Sequence, residues 1–285
     1  MTELAHDLAT SRHARRIVVL WGVTSAVSVP LVVVVLGPHL PPGRMSAAAG
    51  AQTDANVLMT ALLTPIVLLV VIGFGYSLVV FRARGSGADG APLFGDARLQ
   101  AVWLAVTSAI VVALAAWGSY TLVVSAHGAG GGQGSHPVAV PNGYRHALQV
   151  QVIGQQWNWT YRFPAYGGLE TDHLELPAGS AIEFHVTSLD VVHSFWAYQL
   201  GVKADAVPGA DDIAFVHTRR LGTFSIRCAE LCGLWHGHMF QTGQVVSAKA
   251  FATWIARQER LQALNGRRLP PYATTYYPQP LRRAG

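Results

Sequence analysis

Charge and cysteine are both scarce in this chain of 285 residues. Asp, Glu, Lys and Arg make up 12% of it against 51% hydrophobic residues. That is too little charge for an ordinary soluble protein of this length, so part of the chain belongs in lipid. The only two cysteines lie four residues apart, which excludes a disulfide framework of the small secreted kind. Basic residues exceed acidic ones by five, but the excess is thinly spread: residues 1–126 carry seven basic and five acidic side chains, 127–260 nine and ten, and the segment after 260 four and none. No dense basic face is left to neutralise a phosphate backbone, so nucleic acid is excluded as a partner.

What the chain has in quantity is uncharged apolar sequence. Ile17 to Leu36, Val57 to Phe81 and Leu99 to Ala126 contain no Asp, Glu, Lys or Arg, and each reaches the roughly 20 residues a helix needs to cross a hydrocarbon core. The first follows Arg12, Arg15 and Arg16 and precedes the small-residue stretch Ser46 to Ala51, a pattern shared by signal peptides. Its run is longer than a typical signal core, so an uncleaved helix is the preferred reading. Pro30 and Pro65 are tolerable inside spans. The loop from Arg82 to Arg98 carries three arginines and the preceding one only Arg44. The positive-inside rule therefore puts the N-terminus and the second loop in the cytoplasm, and everything after the third span on the outer face of the cell membrane.

Beyond Gly128 to Gly134, a linker-like run with five glycines, the period changes. Leu148, Val150 and Val152 alternate with polar residues, as do Ile182, Phe184 and Val186, then Ile213 and Phe215, then Phe224 and Ile226. Turn signals at 165–168, 177–179 and 207–209 separate these strands and point to a Greek-key sandwich or barrel. A helix over Ala248 to Leu264, with Phe251, Trp254 and Ile255 on one face, closes it. The expected divisions are 1–56 for the N-terminal segment, 57–126 for a transmembrane hairpin, 127–145 for the linker, 146–264 for the outer domain and 265–285 for a tail without period.

The run Cys228-Ala-Glu-Leu-Cys232-Gly-Leu-Trp-His236-Gly-His-Met239 gathers two thiols, an imidazole and a thioether at spacings of four, four and three, directly after a strand. That donor set suits copper or another soft metal rather than calcium or magnesium. A further imidazole is needed, and His193 in Asp190-Val-Val-His193-Ser is the best candidate. The residues alone also permit a structural zinc, against which the methionine argues, and a redox disulfide between Cys228 and Cys232.

At these positions the sequence resembles subunit II of the haem-copper cytochrome c oxidases, whose motif C-x-E-x-C-G-x-x-H-x-x-M is present as Cys228, Glu230, Cys232, Gly233, His236 and Met239. Gly154-Gln-Gln-Trp157-Asn-Trp159, Asp190-Val-Val-His193-Ser and the block from Leu200 to Gly209 extend the likeness. The resemblance implies a membrane-anchored all-β protein: two or three N-terminal transmembrane helices followed by a cupredoxin-like Greek-key β-sandwich. It implies a binuclear copper centre, CuA, bridged by Cys228 and Cys232, with His193 and His236 on one ion each and weak ligands in Met239 and the carbonyl of Glu230. It further implies a magnesium site shared with subunit I through the Glu230 side chain, and electron entry at Trp157. The activity implied is cytochrome c oxidase, with electrons accepted from cytochrome c or a membrane-bound c-type cytochrome and passed to haem in subunit I, where O2 is reduced to water. A membrane-anchored copper-delivery protein is the alternative.

Other positions carry expectations of their own. Trp196 and Trp235 are expected to shield the metal, and His173, His185, His217 and His238 to be surface or locally satisfied histidines. Asp190, Asp205, Asp211 and Asp212 are candidates to steer a basic electron donor. Gln100 stands where the family has a glutamate near a proton pathway, with Asp96 as a substitute, and Ala210 stands where a basic residue is usual. Arg227, next to the first cysteine, is expected to lie beside the thiolate pair and raise its potential.

Overall fold

The structure, a computed structural model, describes residues 2–82, 97–123 and 143–264. Arg84, Asp96, the tail 265–285 and the expected linker apart from 143–145 lie outside the described residues. The chain forms two compact units, Met1–Leu40 with Asp54–Ala115, and Pro41–Thr53 with Ala116–Gly285.

The first unit is built from helices α1 (Thr2–Leu31), α2 (Ala47–Val80) from Asp54 onward, and α3 (Ala97–Val123) up to Ala115. Among the described residues three stretches are long and apolar enough to cross a membrane: Arg12–His39, Ala47–Val80 and Gln100–Thr121. Their most apolar windows are 6%, 0% and 0% buried, so these side chains need lipid rather than a protein core as their solvent. Pro30 lies in the last turn of α1, and the chain continues through a π-helical turn, Val32–Leu36. Pro65 sits inside α2, and its carbonyl accepts a hydrogen bond from Trp21 Nε1 at 2.7 Å.

The second unit is a sandwich of two five-stranded sheets. One has the order β3 (Leu169–Thr171), β2 (Asn158–Phe163), β1 (Leu148–Gln155), β5 (Ala181–Ser188), β8 (Asp212–His217). The other runs β4 (Glu175–Pro177), β10 (Phe240–Val246), β9 (Gly222–Cys228), β6 (His193–Ala197), β7 (Val202–Ala206). Strand alternation sets the core. Val150, Val152, Ile182, Phe184 and Val186 of the first sheet meet Phe195, Ala197, Val202, Phe224 and Ile226 of the second, all fully buried. Each large apolar side chain so buried contributes roughly 1.5–3 kcal/mol of transfer free energy. Helix α4 (Ala248–Leu264) spans the residues its period predicts. Ser247 caps it by accepting the Ala250 N–H, and Phe251 and Ile255 are buried, with Phe163 and Trp254 edge to face at 5.6 Å.

Helix α2 starts at Ala47, ahead of the uncharged run that begins at Val57. Ser46 caps it by accepting the Ala49 N–H at 2.9 Å while donating to the Leu200 carbonyl at 2.6 Å. Gln52 Nε2 donates to Gly201 O, and Met45 O accepts the N–H of Arg219. The small residues from Ser46 on, which resemble a peptidase site in sequence, thus form a capped turn with Ala48 and Ala49 buried on the sandwich.

Candidate metal centre

The six expected donors converge where β6 begins, β9 ends and β10 begins. Cys228 closes β9, and Phe195 of β6 pairs with it. Two backbone hydrogen bonds pin the following loop: Cys228 N–H donates to Met239 O at 3.0 Å, and Ala229 N–H donates to Ser194 O at 2.9 Å. The two sulfurs of Cys228 and Cys232 are 3.7 Å apart and both cysteines are free. Each sulfur has an imidazole Nδ1 beside it: His193 lies 3.8 Å from Cys228 Sγ, and His236 lies 3.5 Å from Cys232 Sγ. Met239 Sδ is 3.8 Å from Cys232 Sγ, and the Glu230 carbonyl is 3.2 Å from Cys228 Sγ. Ligand atoms of His193, Cys228 and Cys232 all lie within 4.8 Å of one another, and all three residues are buried.

The surroundings hold His193 in a ligand's orientation. Its Nε2 lies 2.9 Å from Asp190 Oδ1. A carboxylate can only accept, so Nε2 carries the proton and Nδ1 keeps its lone pair toward the sulfurs. Asp190 is itself fixed, Oδ2 accepting Gln156 N–H and Oδ1 accepting Val191 N–H, each at 2.7 Å. Burial would raise its carboxyl pKa, but the bonds from Gln156, His193 and Val191 hold it below the ordinary carboxylate range. Trp159, fully buried, stands edge-on to the His193 ring at 5.9 Å. Gly154 makes this approach possible, because a Cβ there would come within 3.1 Å of both His193 and Trp159.

Trp157 is half-buried against the loop, and its Nε1 donates to Cys232 O at 3.3 Å beside Gln156 Nε2 at 2.9 Å. Gly233 follows with φ +113°, and a Cβ there would meet Gln156 Nε2 at 2.9 Å. The Cys232 thiol is pushed up to about 12 by burial and by the neighbouring Cys228. Two adjacent buried thiols cannot both ionise unless a cation compensates them, so this donor set fits a bound soft metal ion.

Several expectations are corrected. Trp196 and Trp235 are 40% and 49% exposed and do not shield the site. On β6, Trp196 alternates with buried Phe195 and Ala197 and so points outward, and Trp235 stands edge to face with His238 at 5.1 Å. Trp159 and Trp157 take the covering role, and the alternation along β2 was the signal for Trp159. Arg227 does not flank the thiols. Neighbours on a strand face opposite sides, so it lies exposed over the Phe240 ring at 5.7 Å. Of the docking carboxylates, Asp190 and Asp205 are exposed, Asp190 also lying against His193 Nε2, while Asp211 is turned toward buried His185 and Asp212 accepts the Asp205 N–H. Glu230 and Gln100 are exposed, as are His173 and His238, and His217 is half-buried.

A two-sheet sandwich that follows apolar helices in the chain, with thiols, imidazoles and a thioether meeting where its strands end, defines a membrane-anchored cupredoxin-like protein with a candidate soft-metal site. Residues 168–246 match the family described as cytochrome c oxidase subunit II, periplasmic domain. Cytochrome c oxidase subunit 2 of Thermostichus vulcanus is 28% identical over 85% of this chain and 86% of its own length, and that of Synechocystis is 28% identical over 82% and 81%. The crystal structure of the periplasmic domain of subunit II of cytochrome oxidase from Bradyrhizobium japonicum is 31% identical over 40% of this chain and 94% of its own, with a TM-score of 0.39. Residues 168–246 are thus similar to the periplasmic domain of cytochrome c oxidase subunit II, and the likeness to named subunit 2 proteins extends over most of the chain.

Proposed function

We propose that this subunit is the electron-entry component of a haem-copper terminal oxidase and holds a binuclear copper centre at the site described. The observation that carries the reading is the symmetry of the donors: two thiols side by side, each with a histidine Nδ1 at its outer edge. Cys228 and Cys232, with His193 and His236, would hold the two copper ions, and Met239 and the Glu230 carbonyl would be weak ligands. Such a pair, when bound, supplies a one-electron acceptor whose charge is shared between two metals.

The chain's own residues do the rest. Backbone hydrogen bonds at both ends of the loop fix the sulfurs, and Asp190 and Trp159 fix the His193 ring, so little geometry is free to change with charge. Trp157, touching Cys232 O, offers a half-buried ring through which an electron from cytochrome c or a membrane-bound c-type cytochrome would arrive. The oxidase activity then belongs to the assembly with subunit I, where electrons would reach haem and reduce O2. The exposed Glu230 side chain is available for a magnesium ion at that contact. Because Cys228, Cys232 and Met239 are 8%, 3% and 1% exposed, a resident centre is favoured over a delivery site. Metal analysis of the full chain after copper reconstitution tests this. Two coppers that resist a chelator are expected, whereas one zinc, or copper that exchanges freely, would overturn it.

A further inference from the structure

Midway along α1 (Thr2–Leu31), Arg12, Arg15 and Arg16 fall on one helical stripe, and Val19 and Leu20 continue it one turn on. These five residues and Tyr76 of α2 line a cavity of about 500 Å³. Tyr76 is held in place by its hydroxyl, 2.6 Å from His13 Nδ1. Among the described residues no carboxylate pairs with any of the three guanidiniums. The site is therefore polarised along the helix: three unneutralised cations at one end, an apolar floor at the other. The floor does not stop at the cavity, because Val23 and Val27 extend the stripe at 60% and 66% exposure into the uncharged run.

We propose that this cavity binds one anionic phospholipid, its phosphodiester seated on Arg12, Arg15 and Arg16 and an acyl chain running over Val19 and Leu20 toward Val23 and Val27. Guanidinium groups match phosphate oxygens in a forked geometry, and three exposed ones gathered at a membrane boundary attract an anionic headgroup. A free phosphate ion would satisfy the arginines but leave the apolar floor uncovered, which selects the lipid. The site shares no residue with the proposed copper ligands and stands or falls independently of them.

Native mass spectrometry of the full chain, released from micelles containing either phosphatidylglycerol or phosphatidylcholine, tests the proposal. One retained phosphatidylglycerol per chain is expected, with retention reduced about a hundredfold in R12Q/R15Q/R16Q. R82Q/R84Q/R98Q, which removes as many charges from the side the positive-inside rule assigns to the N-terminus, should keep the lipid. Soluble glycerol phosphate in excess should not displace it. Equal retention of both lipids, equal loss in both triple variants, displacement by glycerol phosphate, or an intact mass lacking residues 12–20 would each overturn it. Far-UV circular dichroism checks that the variants keep their helices.

Discussion

Two histidines in the sandwich are almost completely buried, His193 on β6 and His185 on β5, yet their surroundings fit them for different work. His193 meets a carboxylate at Nε2 and a sulfur at Nδ1. His185 lies between carboxylates, with Glu183 3.1 Å from Nε2 and Asp211 3.2 Å from Nδ1, and no sulfur stands beside its ring. Burial lowers the His185 pKa, partly countered by Glu183, while Asp211 is raised to about 7 by burial and then by Asp212 and Glu183. The pair teaches that burial does not make a histidine a ligand; the partner on the second ring nitrogen does.

The comparison can be broken most directly by exchanging roles. His193→Ala is expected to abolish the copper pair, and His185→Gln to leave copper count and spectrum unchanged; copper loss in both would erase the distinction. The next effect is on stability. Because folding raises the Asp211 pKa from an ordinary 3.8 to about 7, the folded state keeps a proton that the unfolded chain has released. This contribution is fully present below pH 3.8 and is lost as pH rises toward 7. Asp211→Asn should remove that slope, leaving the variant more stable than the wild type above pH 7 by on the order of 2–4 kcal/mol in denaturant titrations. Parallel curves for the two proteins would refute the assignment.

Smaller effects sharpen the His193 side. Asp190→Asn keeps the shape but weakens the hold on Nε2, and copper affinity should fall about 10–100-fold, read by competition with a chelator. Trp157→Phe keeps a ring but loses the bond to Cys232 O, costing about 0.5–1.5 kcal/mol of stability. It should slow electron entry from reduced cytochrome c in stopped-flow with the copper count unchanged.

Much of this was legible in the residues. The donors are encoded by spacing, the sandwich by alternation of period two, and α4 by its apolar face. What escaped was contact between segments distant in sequence. Ser46 bonding to Leu200, Asp190 held by Gln156, and His185 facing Asp211 depend on pairings of sheet strands and turns that no local period reports. Arg227 is a different case, because its position next to Cys228 on a strand already implied the opposite face.

Electron paramagnetic resonance of the oxidised, copper-loaded chain tests the central claim most directly. With two coppers held between sulfurs 3.7 Å apart, each flanked by one imidazole, the proposal predicts a single unpaired electron shared equally by two copper nuclei, with the corresponding hyperfine pattern. A spectrum from one copper nucleus, or no signal at full metal loading, would contradict it.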